Sequence, residues 1–198
     1  MRAEYENVLD DHLGQIHFTY VNTWDELLPA HWHEHLEIIY VLGGEITASI
    51  NDVSYELKKG DIFLVNSNDI HYTHTHEDAR YYLLQIPPVH LERISAKWEG
   101  LKFQEFIRSK SADACVQGEQ LENVQGKGLV EMRENRKSTN RADDLYDQLR
   151  DVFRKIAGFY EEKKEGYHLL VLSAVYRLLY FLYTCLLYTS PSPRDGAT

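Results

Sequence analysis

The segment His31-Trp32-His33-Glu34-His35-Leu36-Glu37 is where this sequence concentrates its chemistry. In an extended strand alternate residues point to one side, so His31, His33, His35 and Glu37 would share a face. Imidazoles and a carboxylate gathered in this way can do two things. They can ligate a divalent metal through ring nitrogens and a carboxylate oxygen, or they can hydrogen-bond a polar small molecule. Ile39 and Val41 continue the same face and would give a pocket an apolar floor, as small-ligand sites usually have. Further on, His71 follows the run from Gly60-Asp61-Ile62 to Asn68, and Thr73 and Thr75 extend its face with hydroxyls. Trp32, Tyr40 and Leu42 have the opposite parity and read as packing residues, Trp32 also as a lid. His74 and His76 fall on the face away from His71 and read as exposed loop residues.

The elements that must position these side chains are short strands. IHFTYVN, LEIIYVL, EITASIN, VSYEL, DIFLVN and RYYLLQI are rich in β-branched and aromatic residues, and Gly43-Gly44, Asn51-Asp52, Lys59-Gly60 and Ser67-Asn68-Asp69 punctuate them. Asn51-Asp52 suits a tight hairpin, since both residues tolerate positive φ. Strands at such short spacing predict a barrel or sandwich rather than a parallel α/β sheet. Pro87-Pro88 should end the sheet, because proline lacks the N–H that a central strand needs. Beyond it, Val89 to Lys97 and Leu101 to Arg108 read as short helices, and Ser111 to Arg141 as a polar loop. Two longer amphipathic helices follow, Ala142 to Glu162 and about Tyr167 to Thr184, with Gly166 at the turn; they form a helical hairpin. The second is apolar nearly all round and needs cover from the barrel or from another subunit.

Composition removes several function classes. Acids outnumber bases by 31 to 21, for a net charge of -10, so this chain lacks the basic surface that grips phosphate by itself. The start has no basic end followed by an apolar run, and the only cysteines are Cys115 and Cys185, which predicts a cytoplasmic protein. No GxSxG, P-loop or GxGxxG signature is present. Leu169 to Tyr183 is short for a membrane span and contains Arg177, so no membrane role is expected. Glu161 to Glu165 reads as a solvated helix end.

His31, His33 and Glu37 followed by Gly44 resemble the first cupin motif, HxHxxxE then glycine, without the glycine that usually precedes it. Gly60 to His71 resembles the second, with Asn66 and Asn68 where that motif has proline and glycine. More narrowly, HWHEHLEIIYVLGG and YELKKGDIFLVNSNDIH are similar to the amino-terminal domain of AraC-type transcriptional regulators, over roughly Ile16 to Thr184. The resemblance implies a mainly β chain with C-terminal helices: a cupin double-stranded β-helix, or jelly-roll barrel, then a helical hairpin. It divides the chain into a barrel with an amino-terminal arm (1–87) and a helical region (88–184) whose hairpin (about 142–184) dimerises. It implies a homodimer that senses a small polar molecule, a sugar or related metabolite, and touches DNA only through a separate C-terminal helix-turn-helix domain. His31, His33, Glu37, Ile39, Val41, His71 and Thr73 are then the ligand-contacting residues, with no cofactor and no catalysis. The rival is a cupin metalloenzyme, an isomerase or dioxygenase, holding a divalent metal on His31, His33, Glu37 and His71.

The tail is set aside. Cys185 to Asp195, CLLYTSPSPRD, resembles the translation of a transposase adapter used in sequencing libraries, so residues 185–198 are expected to be foreign to the fold.

Overall fold

A computed structural model describes residues 3–8, 16–76, 78–95, 98–107 and 136–188. Its strands are β1 (Glu4–Tyr5), β2 (His17–Thr23), β3 (Leu27–Trp32), β4 (Leu36–Gly43), β5 (Glu45–Ile50), β6 (Val53–Lys58), β7 (Ile62–Val65), β8 (His71–Thr75), β9 (Ala79–Ile86), β10 (Lys102–Phe103), β11 (Phe106–Ile107) and β12 (Leu187–Tyr188). They form one sheet in the order β1-β3-β8-β5-β6, a second in the order β11-β7-β4-β9-β2, and the small pair β10-β12. From β1 to β9 the chain changes sheet at every step except β5 to β6. That is a jelly roll.

The turn residues explain the connections. Gly44 sits at φ +71, where a Cβ would lie 2.5 Å from the Asp78 carbonyl oxygen, so only glycine lets β4 turn into β5. Asn51 (φ 47) and Asp52 (φ 70) make the expected tight hairpin between β5 and β6. Asn68, at the position where the second motif has glycine, takes the same left-handed conformation (φ 66), and its N–H donates to the His33 carbonyl at 2.9 Å. Asparagine tolerates that region better than other non-glycine residues, which is why the departure from the motif keeps the turn.

β4 is buried along nearly its whole length because both of its faces are covered. Ile39 and Val41 face the barrel interior with Ile46, Leu57, Phe63 and Tyr81. Ile38 and Tyr40 face outward into a second cluster with Leu64, Leu84 and the helices. Those helices span Arg136–Glu162 and Tyr167–Cys185, and Gly166 (φ 77) caps the second. Phe153 of the first is fully buried and its ring centroid stands 5.5 Å from that of Tyr40. Tyr146 adds a polar tie, donating to the Gly60 carbonyl at 2.8 Å.

Several expectations need correction. The first hairpin helix begins at Arg136, not Ala142, because the polar run Arg136 to Arg141 carries no apolar period to announce it. Among the described residues between Pro87 and Ile107, there is a helix over Pro88–Glu92 and a 3-10 turn at Trp98–Gly100. Where a second short helix was expected, Leu101 to Arg108, the structure has β10 and β11, the latter pairing with β7 through Phe106↔Phe63 and Ile107↔Ile62. An edge strand offers open backbone partners that a two-residue segment can use without any periodic pattern. His74 is part of β8 rather than a loop, on the outer face, and its Nε2 stands 2.9 Å from Asp25 Oδ1. Most of the expected polar loop, 111–135, lies outside the described residues. So does 189–198 of the tail, but Cys185 ends the last helix, Leu186 is buried, and β12 pairs with β10. The last helix is long and apolar enough to cross a membrane by length and composition; in this fold Val171, Val175, Leu178 and Leu182 pack in the core beside the barrel.

Candidate functional site

The histidine segment is not one continuous strand. β3 stops at Trp32, residues 33–35 cross between the sheets, and β4 starts at Leu36. Alternation is therefore broken, yet His31, His33 and Glu37 still meet, because the crossover turns the chain about the point where they sit. β8 brings the fourth residue, since His31 and His71 are register partners across β3 and β8. His35 is outside the convergent group although its ring stands 5.9 Å from that of His33, and its carbonyl accepts from His33 Nδ1 at 3.2 Å.

One imidazole nitrogen from each of His31, His33 and His71 lies within 4.8 Å of the others. The backbone orients all three rings. Nδ1–H of His31 donates to the Pro29 carbonyl (2.8 Å), that of His33 to His35 (3.2 Å) and that of His71 to Asp69 (3.0 Å). A carbonyl oxygen can only accept, so each Nδ1 carries a proton and each Nε2 is presented inward. Such an outer bond to the second ring nitrogen is what orients metal-ligating histidines.

Glu37 closes the cluster from β4. Its Oε2 is 3.1 Å from His33 Nε2 and accepts from Gln85 Nε2 at 2.9 Å, while its Oε1 is 3.9 Å from His71 Nε2. Burial works hardest on this carboxyl and favours the neutral form, but the bond from His33, the nearby His71 and Gln85 together outweigh it and hold the pKa down at about 2. Burial also disfavours the charged form of His33; the bond to Glu37 and the charges of Glu37 and Glu6 reverse this, so its pKa is raised. His71 has no such bond, burial prevails, and its pKa is lowered. Among the described residues the buried Nε2 of His71 has no hydrogen-bond partner. A buried bare acceptor aimed at two other ring nitrogens and a carboxylate is a donor set that fits a divalent ion, or a ligand hydroxyl, equally in kind.

The remaining expected contacts divide. Thr73 is buried on the inner face of β8, two residues from His71. Ile39 and Val41 belong to the packed barrel interior. They do not floor the cavity that opens beside the site. That cavity, about 560 Å³, lies between the arm and the β5–β6 turn, lined by Ala3, Leu27, Pro29, Asn51, His71 and Tyr72 among others. Two residues escaped the sequence reading. Gln85 meets Glu37 because the two are register partners across β4 and β9, a pairing that no local pattern announces. Glu6 arrives on the arm, with its Oε2 3.6 Å from His31 Nε2 and 3.8 Å from His33 Nε2.

Two sheets in jelly-roll order, with histidines and a glutamate gathered where β3 crosses to β4, define a cupin-type barrel, here followed by a helical hairpin. The sequence pattern of the AraC-like ligand binding domain matches residues 14–179, and the chain belongs to that family. It is also 30% identical over 63 residues to the uncharacterized HTH-type transcriptional regulator YdeC of Bacillus subtilis (strain 168), a match covering 31% of this chain and 22% of that protein. The match thus spans less than a quarter of that relative's length. Among solved structures, an RmlC-like cupin from Shewanella frigidimarina is similar over 36% of this chain and 66% of its own (20% identity, TM-score 0.35). A predicted oxalate decarboxylase from Thermotoga maritima is similar over 35% of this chain and 64% of its own (23% identity, TM-score 0.33). Family membership and the regulator relative support a sensing role.

Proposed function

We propose that this chain is the effector-sensing and dimerisation part of an AraC-type transcriptional regulator, working in the cytoplasm. One observation carries the reading. β4 presents Glu37 to the polar cluster and, one and three residues on, Ile38 and Tyr40 to the helical hairpin. A ligand that moves β4 by even a fraction of an ångström must repack the hairpin, because closely packed interiors do not deform freely. The effector is a small polar molecule, a sugar or related metabolite, whose hydroxyls suit the imidazoles, Glu37 and Gln85. The adjoining cavity has the volume usual for such ligands. The last helix leaves Leu169 (63% exposed) and Tyr180 (62% exposed) along one side, eleven residues or about three turns apart, a face suited to a second copy of the chain. DNA is read by a separate helix-turn-helix domain of the regulator, not by this acidic chain.

The test is a thermal-shift screen with sugars, polyols and short hydroxy acids at millimolar concentration. A ligand at 100 times its Kd should stabilise the folded chain by about 2.7 kcal/mol. His33→Ala should abolish the shift. A screen in which nothing stabilises the chain, or a shift untouched by His33→Ala, would overturn the assignment. The three convergent Nε2 atoms support a second reading, a cupin metalloenzyme using His31, His33, Glu37 and His71. Turnover of a carbonyl or carboxylate substrate by metal-loaded protein, lost in His71→Ala, would select it instead.

A further inference from the structure

The arm is held by little that is apolar. β1 makes a two-residue parallel pairing with β3, Glu4↔His31 and Tyr5↔Trp32, and the Glu6 N–H donates to the Trp32 carbonyl at 3.0 Å. Tyr5 lays its ring edge-on to Trp32 at 4.9 Å but remains 55% exposed. So short a strand gains little from its own ladder.

The geometry of Glu6 is the anomaly. Its carboxylate oxygen stands 3.6 and 3.8 Å from the Nε2 atoms of His31 and His33, too far for hydrogen bonds to either. The Nδ1 atom of His31 carries its proton toward the Pro29 carbonyl, so its Nε2 is an acceptor in the neutral ring, whereas Nε2 of His33 is already bonded to Glu37 at 3.1 Å. At His31 the Glu6 anion faces a lone pair and is repelled unless positive charge lies between them. Two ligands on one ion, at bond lengths near 2.1 Å, are separated by roughly 3.0–3.6 Å for angles of about 90–120°. The separations of Glu6 from both nitrogens therefore come within a few tenths of an ångström of that spacing. His71 supplies a third nitrogen, buried and, among the described residues, without a hydrogen-bond partner.

We propose that Glu6 is an arm-borne ligand to a divalent transition-metal ion held by His31, His33 and His71, so that the ion clasps the arm across the mouth of the site. The proposal rests on the reading that this cluster is the domain's ligand site, and gives that site a second input. With imidazole nitrogens and one carboxylate, the donor set favours zinc, cobalt or nickel over magnesium or calcium. Glu6 lies outside the HxHxxxE pattern and nothing in the motif requires it. Loading the ion joins two pieces of chain, the arm and β3, that otherwise share a few backbone bonds.

The experiment uses the full chain with His74 and His76 replaced by alanine, which removes a surface imidazole pair (ring centroids 4.7 Å apart) as a competing site. Co²⁺ and Zn²⁺ are the probes. Affinity is read by chelator competition and by the Co²⁺ absorption spectrum, and arm position by hydrogen–deuterium exchange of residues 3–8. The expected result is that Co²⁺ slows exchange in the arm. Glu6→Gln should bind Co²⁺ roughly 10- to 100-fold more weakly, with an altered spectrum and no arm protection. Glu6 is half-exposed, so this variant should fold. Equal affinity and identical spectra for wild type and Glu6→Gln would overturn the arm ligand. Failure of either metal to bind, or binding unaffected by His71→Gln, would overturn the ion itself. Neither failure touches the effector reading, which stands or falls with the metal-free thermal-shift screen.

Discussion

Replacing Phe153 by alanine tests whether barrel and hairpin are one cooperative unit. Phe153 is fully buried on the helix Arg136–Glu162, and its ring faces Tyr40 of β4 in the cluster that includes Ile38, Leu64 and Leu84. Phe-to-Ala changes in such positions cost about 3–5 kcal/mol, the transfer energy of the ring plus the cavity left behind. Total stability for a domain is about 5–15 kcal/mol, so one substitution removes about a fifth or more of it. At about 2–4 °C per kcal/mol for a chain of this size, the melting temperature should fall by roughly 6–20 °C. The assay is thermal and urea unfolding followed in parallel by far-ultraviolet circular dichroism, which reads the helices, and tryptophan fluorescence, to which Trp24 and Trp32 in the barrel half contribute. Both signals should move together to the lower midpoint, and Phe153→Leu should recover most of the loss. A helical transition that shifts alone, with fluorescence unfolding at the wild-type midpoint, would show that the barrel is autonomous. It would also remove the physical basis for signalling through β4.

Other substitutions test separate features. Gly44→Ala must place a Cβ 2.5 Å from the Asp78 carbonyl oxygen at φ +71, and should cost about 1–3 kcal/mol in urea unfolding. Gly158→Ala, on the same helix as Phe153 with open space around its Cβ, should instead stabilise by roughly 0.5–1 kcal/mol; the reverse order would refute the backbone argument. Burial, with the negative charges of Glu37 and Glu26, pushes the Tyr81 phenol up to about 12. A folded pKa raised above the unfolded value near 10 gives stability that is complete below pH 10 and is lost as pH rises toward 12. That loss is up to about 3 kcal/mol, and Tyr81→Phe should abolish that part of the alkaline slope. For the dimer, Leu169→Glu with Tyr180→Glu should convert the chain to monomers in sedimentation velocity without lowering the melting temperature of the monomer, since both side chains are largely exposed. A wild-type monomer at tens of micromolar would refute the interface.

Much of the barrel was legible because its signals are local. LEIIYVL and RYYLLQI declare strands through composition, and Asn51-Asp52 declares a hairpin through the φ values those residues tolerate. The motif histidines were legible for a different reason: identity and spacing survive even where the inferred geometry does not. His31 and His33 converge although no single strand carries them, and the shared-face argument for His35 fails at the crossover. What stayed hidden was non-local. Gln85 reads as one more residue of an apolar strand until its register against Glu37 is known. Glu6 sits in a polar stretch with two strand residues before it, far below the length at which periodicity can speak. The strands β10 and β11 are illegible for the same reason, since two-residue strands are defined by their partners rather than by themselves.

The consequence for function lies in the construction of β4. A strand exposed on one face would let the site and the hairpin move independently, with solvent absorbing any shift. Here Glu37 points into the polar cluster, Ile39 and Val41 into the barrel interior, and Ile38 and Tyr40 into the helices, so that every residue from Leu36 to Val41 is buried. A displacement large enough to satisfy a ligand at Glu37 must then be accommodated either by the barrel interior or by the hairpin. The interior is tied through backbone ladders on both sides of β4, to β7 and β9. The hairpin meets β4 through side-chain packing and is joined to the barrel elsewhere by isolated bonds such as Tyr146 to Gly60. The softer contact gives way first, and in this fold that contact is the hairpin, the element whose far side leaves Leu169 and Tyr180 exposed.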